Sequence, residues 1–459
     1  MRRNDSFSLL LEFVLAALFL SVSASAQQKS VVLRGGKLLT VTHGTIENGV
    51  LIIENGKIAA LGPASSVKIP KDARVIDVSG MTVYPGLIDS ETQLGLTEIQ
   101  AEEMTNDFIE PSDEIMPHMH VYDAFHAESE LIPVTRYNGI TNAIVAPGSR
   151  DTLPGQDSFV QLAGKVQGDF LLVRDIAMPL NFSGEQRRNQ GGFERRKFPS
   201  TRMGLAAQLR QTFLDAQDYA QKWAEYERKK AEYEKPNSQT AAKTDSSKPD
   251  DKENLKKQPP LPPKRDLKLE ALLPYLQGKK LVILGAEEAN DLQAAVNLAR
   301  EFNLHFVLNH ISHSQSALDY VASLHVPVIV GPIYEDPKPE ERYDAVYSLP
   351  AQLNKRGVKI AFASYEAHNA RNLPYQAGFA TAFGLPHDEA LKAITINAAE
   401  IWGVADSLGS LDVGKTANVV VANGDPLDLK TDVKQVFIEG KEIPMKDRQT
   451  ELRDRYWNQ

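Results

Sequence analysis

Histidine and carboxylate side chains are the groups in this 459-residue chain that could do chemistry. The sequence holds ten histidines and 60 acidic residues but no cysteine. Without thiols there can be no disulfides, thiolate nucleophiles, iron–sulfur clusters or cysteine-based zinc sites. The sequence also has no Gly-x-Ser-x-Gly turn, no phosphate loop and no dinucleotide fingerprint. Imidazole and carboxylate groups are present, and these residue types suit zinc-like ions.

Two groups of such residues follow apolar runs that read as strands. Asp89 and Glu91 come after the first run, and this pair suggests a two-carboxylate glycosidase. No second acid at the separation that this reaction needs can be named from the sequence. His310 and His313 lie where a helix is predicted to begin and could share one face of it. The alternative for His313 is a capping or surface role.

A third group, Pro117-His118-Met119-His120, has the spacing of a metal-binding pair but follows no predicted barrel strand. We interpret it as a loop and predict that both imidazoles face solvent, because zinc sites demand defined geometry.

The two ends of the chain share a pattern of short strands and turns. Asn55-Gly56 separates two apolar runs, which is a strong hairpin signal because a type I′ turn needs positive φ at both positions. A similar pattern returns around Val419 and Val433. We therefore predict one composite β-sandwich built from residues 27–85 and 405–459.

Between these ends, short Val- and Ile-rich runs alternate with amphipathic helical segments. This alternation predicts βα units around a parallel sheet, in an α/β protein whose chemistry sits after the carboxyl ends of the strands. We assign residues 86–404 to this barrel. The segment 237–265 is polar and rich in proline, so we predict a mobile loop there.

Several motifs at both ends of this pattern resemble the amidohydrolase superfamily, and in particular its secreted imidazolonepropionase-like branch. The resemblance covers nearly the whole mature chain. The motifs that carry it are Tyr84-Pro85-Gly86-Leu87-Ile88-Asp89, Ala370-Arg371-Asn372-Leu373-Pro374, residues 389–400, Leu408-Gly409-Ser410-Leu411 and residues 417–422.

The resemblance implies a distorted (β/α)8 TIM-type barrel inserted into a composite β-sandwich. It also implies one or two divalent metals at the barrel mouth. Their ligands in the family are a His-x-His pair after the first strand, histidines after the fifth and sixth, and an aspartate after the eighth. A metal-bound water would attack an amide or imide carbon, with the aspartate accepting its proton.

This chain departs from the family pattern at four of those five positions. Glu91 and Gln93 replace the His-x-His pair, Gly285 replaces the next histidine, and Tyr365 replaces the aspartate. Only His310 matches. Losing even an outer-shell partner typically lowers metal affinity or activity roughly 10–100-fold, and losing a direct ligand should cost at least as much.

We therefore predict a pseudoenzyme that holds no metal tightly and binds a small molecule or an active paralogous subunit. The alternative is an active hydrolase of non-peptide C–N bonds, such as those of a cyclic amide or dipeptide-like substrate. It would hold zinc or another divalent ion through Glu91, His310 and either His368 or Asp89.

Charge and the N-terminal segment bear on partners and location. The net charge of −9 leaves no excess of positive charge for binding nucleic acid or anionic membranes. Arg2 and Arg3 precede an apolar run that ends in Ala24-Ser25-Ala26, the pattern of a secretory signal peptide, residues 1–26. We predict a secreted or periplasmic protein without a stable membrane anchor, which could form an oligomer.

Overall fold

The computed structural model describes residues 30–182, 198–199, 201–235 and 259–457. The predicted signal peptide lies outside the described residues, as does most of the predicted loop. The last part of that loop, residues 259–265, has no regular secondary structure. Within the described residues, no helix is both long and apolar enough to cross a membrane.

The strands divide between two sheets. In chain order they are β1 (Val31–Leu39), β2 (Thr45–Glu54), β3 (Lys57–Pro63), β4 (Arg74–Asp77), β5 (Thr82–Pro85), β6 (Leu87–Thr92), β7 (Ile140–Val145), β8 (Asp157–Gln161), β9 (Leu171–Asn181), β10 (Leu281–Gly285), β11 (Phe306–Asn309), β12 (Val328–Val330), β13 (Ile360–Phe362), β14 (Val419–Ala422), β15 (Val433–Ile438) and β16 (Lys441–Ile443).

The α-helices pack mainly around the second sheet. In chain order they are α1 (Leu131–Arg136), α2 (Gln167–Phe170), α3 (Arg202–Glu234), α4 (Leu267–Leu276), α5 (Ala289–Glu301), α6 (Leu318–Ser323), α7 (Ala345–Lys355), α8 (Leu373–Ala382), α9 (His387–Ala393), α10 (Ile396–Ile401) and α11 (Arg448–Trp457).

The first sheet joins the two ends of the chain, as the sequence predicts. Its order is β16-β15-β14-β5-β1-β2-β3, with β4 beside β1. β14 runs antiparallel to β5, so that Val420 faces Tyr84. The hairpin between β2 and β3 turns at Asn55 and Gly56, whose φ angles of 50° and 77° are both positive, as a type I′ turn requires. The domain boundaries at residues 85 and 405 stay a prediction.

The second sheet is a nearly closed barrel of eight strands, in the order β13-β12-β11-β10-β9-β8-β7-β6. The backbone N–H of Tyr365, just beyond β13, donates to the carbonyl of Glu91 on β6 at 2.9 Å and links the two edges. β8 runs antiparallel to both of its neighbours, unlike the other strands of this sheet. The chain can reverse here because antiparallel neighbours need no crossover helix.

Side chains along each barrel strand point alternately into the barrel interior and outward toward the helices. Phe159, Ile283, Val307 and Ala361 belong to one apolar cluster inside the barrel. Because successive side chains point to opposite faces, the residue two positions after each of these also faces inward. At the carboxyl end of β11 that residue is Asn309, which is polar.

Candidate functional site

Four of the five family ligand positions come together at the barrel mouth. The Nε2 atom of His310 lies 3.6 Å from Oε1 of Glu91. The rings of His310 and Tyr365 have centroids 4.3 Å apart. A Cβ atom placed on Gly285 would lie 3.4 Å from Cδ2 of His310. They meet because the carboxyl ends of parallel strands form one rim. Gln93 forms no side-chain hydrogen bond to these groups in the part of the chain that the structure describes.

Asn309, which the sequence analysis did not select, connects these positions. The hydroxyl of Tyr365 donates a hydrogen bond to Oδ1 of Asn309. The Nδ2 group of Asn309 in turn donates to Oε2 of Glu91 at 2.5 Å. All three residues are buried. We call this chain of two hydrogen bonds the mouth network. Its signal in the sequence was present: Asn309 is the polar inward residue that ends β11.

Tyr365 acts in this network as a hydrogen-bond donor. Burial raises the pKa of its hydroxyl well above the usual value, and the nearby charge of Glu91 raises it further. The phenol therefore stays protonated at neutral pH. It cannot accept a proton as an ionised aspartate would at this position.

His310 sits beside the network. Its backbone φ is 52°, in the left-handed region, directly after β11. Burial lowers its pKa, but the nearby carboxylates, Glu91 foremost, together raise it more, so the net pKa lies above the ordinary value. Nε2 is buried and has no hydrogen-bond partner among the described residues. This imidazole therefore has an unused polar atom at the mouth.

Asp89 lies deeper and links β6 to the segment after β13. One carboxylate oxygen accepts from the backbone N–H of Ser364 at 2.9 Å, and the other from its hydroxyl at 2.5 Å. Burial raises the pKa of Asp89 to about 7, although the bonds from Ser364 oppose the shift. The side chain is fully buried and bonded within the barrel wall, so the geometry gives it a structural role.

The residues present do not fit the metal that the family resemblance implies. Glu91 and His310 supply one carboxylate and one imidazole, and Tyr365 offers a protonated phenol. A side chain at Gly285 would begin 2.8 Å from Oδ1 of Asn181, so Asn181 occupies the space of the missing ligand. In the described ranges, no set of three or more His, Asp or Glu side chains is arranged to hold a metal ion.

The other candidate histidines lie apart from this cluster. His313 contacts Glu341, with 2.9 Å between Nδ1 and Oε2. His368 is half-buried and forms no hydrogen bond or ion pair with Glu91 or His310 in the described part of the chain. The prediction that His118 and His120 face solvent is wrong. Both are partly buried, and Nδ1 of His120 lies 2.6 Å from Oδ1 of Asp175 because β9 runs beside their loop.

Comparison with known proteins agrees with this architecture. Residues 291–443 match the Amidohydrolase family. The crystal structure of an amidohydrolase from Thermotoga maritima MSB8 superposes with a TM-score of 0.77 at 25% identity, over 91% of this chain and all of that one. The family match thus lies in the C-terminal part of the chain, and the fold as a whole is similar to that of the solved amidohydrolase.

Two curated relatives match this chain over different lengths. Amidohydrolase tasK of Hapsidospora irregularis is 24% identical over 412 residues, which cover 85% of this chain and 39% of that relative. Imidazolonepropionase of Geobacillus kaustophilus (strain HTA426) is 48% identical over 56 residues, 11% of this chain and 13% of that one. The chain thus spans less than half the length of these two relatives.

Proposed function

We propose that this amidohydrolase-family protein is a secreted pseudoenzyme that binds a small molecule at the barrel mouth and does not hydrolyse it. The observation that carries the proposal is the mouth network. Tyr365 and Glu91 stand where the family has a metal-binding aspartate and histidine, and both are bonded to Asn309. Because these polar groups form hydrogen bonds to one another, they do not require a metal ion as a partner.

The same geometry supports a class of ligand. Oε1 of Glu91 is an acceptor that Asn309 does not use, and His310 presents Nε2 beside it at 3.6 Å. A neighbouring acceptor and imidazole suit a cyclic amide or a dipeptide-like molecule, which carries an N–H next to a carbonyl. The short match to imidazolonepropionase supports the same class.

Metal analysis tests the loss of the metal site. We expect the mature protein to hold well under one zinc per chain after mild dialysis, measured by elemental analysis. An intact structural zinc site is worth roughly 10–16 kcal/mol. Glu91 can still donate an oxygen, and loss of the other three ligands, at Gln93, Gly285 and Tyr365, removes at least about 4 kcal/mol of this. Stoichiometric metal that disappears in His310→Ala would instead support an active hydrolase with a remodelled site.

A gain-of-metal variant provides the positive counterpart. Glu91→His, Gln93→His, Gly285→His and Tyr365→Asp restore the family ligands. Asn181→Ala should be added because its amide blocks the new side chain at 285. We expect this variant to bind zinc and the same variant with Tyr365 retained to bind it more weakly. Equal zinc content in wild type and restored protein would contradict the assignment of these positions.

A partner subunit is the second candidate function. More than half of the tasK relative lies outside its match to this chain. That extra length is the observation that favours a larger assembly, in which this barrel would pair with an active paralogue. Co-expression with a paralogue that has intact His-x-His and Asp motifs should then give one complex by light scattering. Two separate species would argue against it.

Secretion is also part of the proposal and rests on the basic, apolar and Ala-Ser-Ala pattern of residues 1–26. N-terminal sequencing of protein exported from a bacterial host should begin at Gln27. A retained Met1 would contradict it.

A further inference from the structure

A cavity lies on the outside of the barrel, away from the mouth. Its volume is about 280 Å³, and its walls are one face of α4, the loop that holds His118 and His120, and Lys280. Lys280 precedes β10, whereas Gly285 ends that strand at the mouth. Five strand residues separate the two sites by roughly 16 Å. We call this space the outer cavity.

Most charges in the walls of the outer cavity are already paired. Arg265 forms two hydrogen bonds with Glu270, at 2.7 and 2.8 Å. His120 lies 2.6 Å from Asp175. In both pairs the polar atoms contact each other and fix the cavity walls, so they contribute shape more than binding capacity.

Two groups in the walls lack such partners. Within residues 30–182 and 259–457, the ammonium of Lys280 forms no hydrogen bond or ion pair and lies 5.7 Å from the centroid of the Tyr275 ring. The Nδ1 atom of His118 is buried and likewise has no hydrogen-bond partner among the described residues. A buried polar group without a partner costs free energy, and a ligand that supplies the partner recovers it.

We propose that the outer cavity binds a small organic carboxylate through Lys280 and His118. The ammonium supplies one positive charge and hydrogen-bond donors, which match one carboxylate. Burial lowers the pKa of Lys280, although the nearby carboxylate of Asp175 opposes the shift. Burial also lowers the pKa of His118, so its imidazole is neutral near pH 7 and can donate one N–H.

The remaining walls favour an organic ligand over an inorganic anion. Leu267, Ala271 and Pro274 form an apolar side of the cavity, and the side chain of Leu267 is mostly exposed. A carbon body would cover this surface, whereas phosphate would not. A dianion would also meet the carboxylates of Asp175 and Glu270. A cavity of this size is at the lower end for ligand sites and suits an acid of amino-acid or benzoic-acid size.

Titration of the full mature chain with sodium benzoate, by calorimetry at constant ionic strength, tests the proposal. We expect saturable one-to-one binding. Lys280→Gln should weaken it roughly 10-fold or more, since a charge-assisted hydrogen bond is lost. Lys279→Gln is the matched control, because Lys279 is the adjacent, exposed lysine. It should leave the affinity within about twofold, as expected for a surface change.

Three results would overturn the assignment. They are no saturation by the wild type, equal weakening in the two lysine variants, and phosphate binding as tightly as benzoate. His310→Ala separates this site from the mouth, because it should leave benzoate binding unchanged. Loss of benzoate binding in His310→Ala alone would place the acid at the mouth. An unchanged thermal midpoint in Lys280→Gln shows that weaker binding does not come from unfolding.

Discussion

The barrel mouth and the outer cavity use similar side chains in opposite ways. At the mouth, Tyr365, Asn309 and Glu91 form hydrogen bonds to one another, so most of their polar atoms are satisfied inside the protein. In the outer cavity, an ammonium and an imidazole nitrogen lack hydrogen-bond partners among the described residues. The comparison shows that alignment with a family motif predicts only the location of a side chain. Its hydrogen bonds within the protein decide whether it can still bind a ligand.

The largest expected effect is on the pH dependence of stability, because Asp89 is buried in the barrel wall beneath the mouth. The folded protein keeps the proton of Asp89 up to about pH 7, while the unfolded chain releases it near 3.8. The folded state therefore binds more protons between these values, and stability falls as the pH rises through that window. At 1.36 kcal/mol per pKa unit the loss is about 4 kcal/mol.

Urea unfolding of wild type and Asp89→Asn at pH 4, 5, 6, 7 and 8 measures this loss. The variant has no proton to release there, so the difference in the free energy of unfolding should shift in favour of the variant as pH rises. Parallel profiles would mean that Asp89 is not isolated from water. The burial that also raises the pKa of Asp157 acts in both proteins and cancels in the comparison.

The next largest effect on stability is expected when Asn309, the centre of the mouth network, is replaced. Asn309→Ala leaves the Tyr365 hydroxyl and the Glu91 carboxylate without their buried partner. We expect a loss of about 2–4 kcal/mol in the free energy of unfolding. Asn354→Ala is the matched control. The side-chain amide of Asn354, a half-buried residue, makes a single 3.4 Å hydrogen bond to the carboxylate of Glu389. Equal losses in the two variants would show that the network adds nothing to stability.

A smaller loss is expected when only one end of the network is changed. Tyr365→Phe keeps the ring against His310 and removes the hydroxyl, so Asn309 loses one hydrogen bond. The cost should be about 1–2 kcal/mol, measured by chemical denaturation. Glu91 keeps its bond from Asn309, which is why the loss should be smaller than in Asn309→Ala. A larger loss in Tyr365→Phe than in Asn309→Ala would contradict the prediction that Asn309 contributes more to stability than the Tyr365 hydroxyl.

The outer cavity should respond least. Because Lys280 forms no ion pair in the described part of the chain, Lys280→Gln should change the free energy of unfolding by less than about 0.5 kcal/mol. The same denaturation experiment measures it. A loss as large as that of Tyr365→Phe would mean that Lys280 supports the fold, and the contrast between the two regions would fail.

Local signals determined much of the fold. Turn chemistry predicts the Asn55-Gly56 hairpin. The spacing of apolar residues predicts the strands at both chain ends and the alternation of strands and helices between them. Both signals depend on residues that are near neighbours in the chain. The motifs around Asp89 and Leu408 supplied the family resemblance. The antiparallel direction of β8 was not predicted. The spacing of apolar residues indicates a strand but does not show whether it runs parallel or antiparallel to its neighbours.

The sequence also named Glu91, Gln93, Gly285 and Tyr365 as altered family positions, since each follows a predicted strand. It named His310 as the position that matches. It could not show that Asn309 joins two of them, or that Asn181 fills the space beside Gly285, because those partners are far apart in the chain. The outer cavity likewise brings Lys280 to His118 from distant segments. Hydrogen bonds and burial act over a few ångströms in space, so only the tertiary structure decided which polar groups are satisfied and which remain free to bind.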